Sequence, residues 1–121
     1  MKTHQYELID EKVFEHEFDN GLKLFIIPKP GFQKTYVTYT TQFGSLDNHF
    51  KPIGSQQFVK VPDGVAHFLE HKLFEKEDED LFTAFAEENA QANAFTSFDR
   101  TSYLFSATSN IESNIKRLLN R

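Results

Sequence analysis

The sequence predicts an α+β fold: an antiparallel-rich sheet covered on one face by helices, in two layers. Three observations carry this reading. An Asn-Gly dipeptide separates two strand-like runs near the start. Two helical periodicities follow in the middle, and a second pair of strand-like runs comes after them. The sheet is expected to be covered on one face by both middle helices and by the start of a third at the end of the chain. The length of 121 residues is enough for one compact core and short for two. The chain is therefore read as a single domain over 1–121.

The first elements lie in "FEHEFDNGLKLFIIPKP". Asn20-Gly21 is a strong tight-turn signal, so strands are predicted at about 14–19 and 22–28. The second, "LKLFII", reads as buried and stops at Pro28 and Pro30. "KTYVTYTTQFG" is rich in Thr, Tyr and Val and predicts a strand over 35–43, ending at Gly44. Residues 45–62 carry turn formers and two prolines and read as a loop with a short extended piece.

"DGVAHFLEHKLFEKE" predicts a helix over 63–75. Asp63 is placed to cap it, and Ala66, Leu69, Leu73 and Phe74 fall at helical spacing. The acidic run Glu75, Glu77, Asp78, Glu79 and Asp80 reads as a solvated break. A second helix, "DLFTAFAEENAQ", places Leu81, Phe82, Phe85 and Ala86 on one side. Strands follow at 92–98 and 101–108. A last helix begins at Ser109, a candidate cap, with Ile111, Ile115, Leu118 and Leu119 along one face. Its apolar stripe runs to the end without a C-cap signal, so the chain is expected to be the front of a longer protein.

Composition narrows the chemistry. Hydrophobic residues are 39% and charged residues 26%, as in folded domains. The chain holds 14 Phe and no Trp, which predicts a core or cleft built from phenyl rings. A net charge of −5 leaves no basic stripe for nucleic acid and no attraction to anionic membranes. There is no cysteine, so any metal site must use His, Asp or Glu. No segment reaches membrane-spanning length and the N-terminus lacks a signal-peptide pattern, so a cytoplasmic location is expected.

The chemistry-bearing stretch is "VAHFLEHKLF", residues 65–74. At about 100° per residue, His71 lies roughly 40° from His67, and Glu70 roughly 60° to the other side. All three share one face within a turn. Two imidazoles four residues apart can reach one zinc ion, and an adjacent carboxylate can deprotonate a water activated by the metal. Five His and eleven Glu would produce this pattern by chance only about 0.02 times in such a chain. His4, His16 and His49 read as isolated surface or loop histidines. The residues themselves offer no third ligand.

"AHFLEHKLFE" resembles the H-x-x-E-H helix of the inverzincins, the pitrilysin/insulinase family of zinc peptidases. "FDNGLKLFIIP" is similar to that family's opening strand pair, and "ANAFTSFDRTSYLFSA" to its Asn-Ala-x-Thr segment. The resemblance covers about residues 14–121 and is nearest to bacterial insulinase-like zinc peptidases. It implies zinc as cofactor, His67 and His71 as metal ligands, and Glu70 as the general base. It also implies that Asn93 binds substrate backbone. Ala94, Phe95 and Thr96 would then belong to an edge strand that receives an extended peptide by strand addition. Phe68 and Phe95 are candidate pocket walls, with core packing as the alternative. The family's third ligand is a glutamate about seventy to eighty residues beyond the second histidine. The chain continues only fifty residues past His71, so this segment alone is expected to be inactive. The implied substrate is a peptide or unfolded polypeptide, with pairing to a homologous domain or subunit. The alternative is a non-catalytic partner subunit or scaffold of the same family. A third reading, a small regulatory zinc module, requires a complete ligand set within 121 residues.

Overall fold

A computed structural model of the chain describes residues 1–76 and 79–120. By contact the chain divides into two compact units, Met1–Phe32 and Gln33–Arg121. The predicted strands are all present, but they divide between two antiparallel sheets instead of forming one.

The first unit is a meander. Strand β1 (Lys2–Tyr6) pairs with β2 (Glu11–Glu17), and β2 pairs with β3 (Lys23–Ile26). Asn20-Gly21 makes the predicted turn: Gly21 adopts φ 88°, its N–H donates to Phe18 O at 2.9 Å, and Asn20 Oδ1 accepts from Leu22 N at 3.0 Å. The apolar run of β3 predicts burial, yet the strand is exposed along its length. It is the edge strand of a three-stranded sheet. His4 Nε2 and Glu15 Oε2 lie 2.9 Å apart across β1 and β2, and Lys29 pairs with Glu11.

The second unit carries the main core. Strands β4 (Thr35–Thr41), β9 (Ala90–Thr96) and β10 (Thr101–Ala107) form a sheet in the order β4-β10-β9. Two short antiparallel pairs lie between β4 and β9 in the chain: β5 (His49–Phe50) with β6 (Val59–Lys60), and β7 (Glu75–Lys76) with β8 (Glu79–Asp80). The expected acidic break falls partly on the latter pair, and its members Glu77 and Asp78 lie outside the described residues. The helices are α1 (Val65–Phe74), α2 (Leu81–Glu87) and α3 (Ile111–Leu119).

One face of this sheet is covered by helices, as predicted. Strand period two turns Tyr103, Phe105 and Ala107 of β10, Ala90, Ala92 and Ala94 of β9, and Val37 of β4 to the same side. Leu73 of α1, Phe85 of α2, and Ile111, Ile115 and Leu118 of α3 pack against them. Phe85 and Phe105 are both fully buried and stack at a centroid distance of 5.7 Å. Three inward-facing alanines on β9 leave the room that lets helices approach closely. Arg117 on α3 donates to Ala84 O at 2.9 Å and to Glu88 Oε1 at 3.3 Å, which joins α3 to the end of α2.

Helix ends depart from expectation. Gly64, with φ 88°, precedes α1, while the Asp63 carboxylate accepts from Asn48 Nδ2 at 2.8 Å. Asn110, not Ser109, stands at the start of α3. It is in the left-handed region with φ 56° and makes no side-chain cap bond. Helix α2 is shorter than predicted because Asn89 turns left-handed at φ 60° and sends the chain into β9. Leu119 and Ala86, assigned to apolar faces, are exposed, and Ala84 is buried in place of Ala86. The side chains of Phe74, Leu81 and Phe82 lie outside the described set.

The turn between β9 and β10 is held from below by the loop after β4. Ser45 N donates to Ser97 O at 2.9 Å, Leu46 N donates to Phe98 O at 3.1 Å, and Thr101 Oγ1 donates to Phe43 O at 2.7 Å. Gly44 makes the approach possible: a Cβ there would fall well inside contact distance of the Phe98 carbonyl. Backbone has no flexible end that can swing aside. Gly44→Ala is therefore expected to destabilise this unit by about 1–3 kcal/mol, read as a lower urea midpoint with an unchanged slope.

Candidate metal centre and edge strand

Helix α1 packs on β9 and β10. Its inward stripe is the buried Ala66 and Glu70 with the partly buried Leu73, a spacing of four and three residues. Leu69, expected on that stripe, is exposed. The glutamate thus takes a position where an apolar residue is the norm. It is 9% exposed, and a buried carboxylate is costly unless it is hydrogen-bonded. The bond comes from the sheet: Thr96 Oγ1 donates to Glu70 Oε2 at 2.5 Å.

The flanking imidazoles are exposed and converge. His67 Nε2 and His71 Nε2 lie 3.0 Å apart, with ring centroids 4.8 Å apart and planes at 51°. Two nitrogens bound tetrahedrally to one zinc ion sit about 3.3–3.4 Å apart, given Zn–N distances of about 2.0–2.1 Å. Opening the pair by a few tenths of an ångström would seat the ion, so these side chains fit two positions of a zinc site. Among the described residues, no group of three or more His, Asp or Glu is arranged to hold a metal ion. The other histidines have different neighbours: Glu15 for His4, Phe18 for His16 and Phe58 for His49.

Strand β9 lies at the edge of its sheet and, among the described residues, pairs only with β10. Asn93 and Phe95 alternate outward from it, while Ala94 packs on the core. Asn93 Oδ1 accepts from the Ala94 N–H at 2.8 Å. Phe68 and Phe95 are both exposed, which removes the core-packing alternative for each. The Phe68 ring carries the Lys72 ammonium 5.5 Å from its centroid.

The family model described as "Insulinase (Peptidase family M16)" matches residues 52–121, which include α1, β9 and β10. The chain belongs to the insulinase family, peptidase family M16. Relatives of this M16 chain are bacterial and mammalian. A Bacillus subtilis protein named "Uncharacterized zinc protease YmfH" is 53% identical over 119 residues, spanning 98% of this chain and 28% of that protein. Insulin-degrading enzyme of Mus musculus is 33% identical over 96 residues, spanning 74% of this chain and 8% of that enzyme. A crystal structure of an Alicyclobacillus acidocaldarius protein, described as M16-like peptidase, superposes with a TM-score of 0.81 at 39% identity. It covers 91% of this chain and 26% of that one. The M16 chain thus spans about a quarter of the length of these bacterial relatives.

The structure sets His67 and His71 side by side at the exposed surface of α1 and turns the Glu70 carboxylate towards the sheet, onto Thr96; the sequence reading passed over Tyr103. Tyr103 is buried on β10, opposite Ala94. Burial pushes its phenol above the ordinary tyrosine range, and the nearby Glu70 charge pushes it further the same way. The signal available in sequence was its period-two spacing from Phe105 and Ala107, which turns it to the helix-covered face. A tyrosine with a raised folded-state pKa adds stability that is complete below the unfolded value of about 10. That stability is lost as pH rises through the raised value. Melting temperature between pH 9 and pH 12 is therefore expected to fall more steeply for the wild-type chain than for Tyr103→Phe.

Proposed function

We propose that the protein containing this segment is a zinc-dependent endopeptidase acting on peptides or unfolded polypeptides. The observation that supports this most is the pair of imidazole nitrogens 3.0 Å apart on α1, the helix that also carries Glu70. His67 and His71 would hold the metal through Nε2, with further ligation from outside this segment. A zinc ion there supplies a Lewis acid that acidifies water and polarises a carbonyl. Glu70 takes the proton from the attacking water at a carboxylate oxygen and passes it to the leaving amine nitrogen.

The substrate is laid along β9 as an added strand, using main-chain groups from Asn93 to Thr96, so recognition depends little on side-chain identity. The Asn93 carboxamide already engages the Ala94 N–H, so a docking strand that uses this N–H must first displace it. Once displaced, the carboxamide is free to bond the substrate backbone. Phe68 and Phe95 form walls for substrate side chains. The segment alone is inactive, because its histidines are two ligands of a set that needs three. A homologous domain or subunit completes the enclosure, and the protein acts in the cytoplasm. The names of relatives, among them a zinc protease and an insulin-degrading enzyme, support the reading.

In the full-length protein, Glu70→Gln is expected to reduce hydrolysis of an unfolded polypeptide by about 10²–10⁴-fold while zinc content stays at wild-type level. Undiminished cleavage by that variant would remove Glu70 from the chemistry.

A further inference from the structure

Resting on that reading of the site, we infer that the Thr96 side chain is a positioning group for Glu70 and does not itself contact substrate, which uses only the main chain at this position. Backbone alternation turns Ala90, Ala92 and Ala94 of β9 to the helix-covered face, and Thr96 follows in the same phase. Its hydroxyl therefore points beneath α1, away from the outward row of Gln91, Asn93 and Phe95. The hydroxyl donates to Glu70 Oε2 at 2.5 Å, the length of a strong O–H···O⁻ bond.

This bond fixes the plane of the carboxylate through one oxygen, while the other keeps all its acceptor sites for water. Rotation of the carboxylate would break the bond and leave a nearly buried oxygen without a partner. Thr96 is itself held firmly. Its side chain is β-branched and stiff at χ1. The next residue, Ser97, closes the turn with its N–H on Arg100 O at 2.8 Å and its carbonyl on Ser45 N at 2.9 Å. Thr101, directly opposite Thr96, sends its hydroxyl to Phe43 O and does not compete for Glu70. The rigid end of the substrate strand thereby also sets the orientation of the base.

The test uses full-length protein in four forms: wild type, Glu70→Gln, Thr96→Val and Thr96→Ser. For each, zinc content, melting temperature and the kcat and KM for an unfolded polypeptide such as casein are measured. Thr96→Val keeps the shape and removes the donor. It is expected to lower kcat about 10- to 100-fold, with KM within twofold and zinc content unchanged, and to lower the melting temperature modestly because the buried carboxylate loses its donor. Thr96→Ser should recover most of the loss. A rise in KM at constant kcat would make Thr96 a substrate contact and overturn the inference, as would a serine variant no faster than the valine variant. A zinc-loaded wild type without cleavage, or an active Glu70→Gln, would defeat the proposed function instead. The positioning role is then read from the ¹³C shift of the labelled Glu70 carboxyl. A change in Thr96→Val supports the hydrogen bond, and an identical shift rules it out.

Discussion

The hydrogen bond from Thr96 to Glu70 joins the buried side of α1 to the last residue of β9. A carboxylate in the buried stripe of a helix needs a donor, and the sheet beneath α1 has one in Thr96, in the right phase of its strand. With Glu70 held there, the helix cannot rotate about its axis without exposing a core position or orphaning the carboxylate. His67 and His71 then lie just outside the packed stripe, exposed and facing each other. The helix thus divides the work among its residues. Ala66 and Leu73 pack, His67 and His71 face solvent with their ring nitrogens, and Glu70 stands at the boundary.

The same economy runs through the sheet. Strand β9 presents small residues inward, which brings the helices close, and polar or aromatic residues outward, at an edge that has no strand partner among the described residues. Its far end is fixed by the Gly44 loop and the Ser97–Arg100 turn, so an added strand would meet a rigid template. Fixing α1 and β9 to each other fixes the histidine pair relative to the edge where a peptide would lie. Little freedom then remains to be lost on binding, which is what preorganisation requires.

Much of this was legible in the sequence. The Asn20-Gly21 turn, the 3.6-residue rhythm of 65–74 and the alternation over 101–107 each have a local cause, and each element appears where the pattern places it. Strand β1 was missed because Lys-Thr-His-Gln-Tyr shows no apolar alternation, and in the structure it is exposed throughout. The apolar run of β3 suggested burial because hydrophobicity alone does not distinguish an edge strand from a central one. Thr96 was read only as part of a substrate strand, and its side-chain bond to Glu70 was not foreseen. Sequence shows that it lies on β9, but which side chain meets Glu70 depends on the register between β9 and the overlying helix. Tyr103 escaped notice because its raised pKa arises from tertiary burial and a charge 33 positions away in the chain.

Helix α1 carries two imidazoles whose nitrogens are already nearly at zinc-ligand spacing, and the proposed chemistry depends on that pair. The most direct measurement is a crystal structure, with anomalous scattering at the zinc edge, of the full-length protein purified with zinc. The expected result is a single strong peak within about 2.0–2.1 Å of Nε2 in both His67 and His71. A zinc ion bound elsewhere, or full-length protein that takes up no zinc while both imidazoles stay paired, would contradict it.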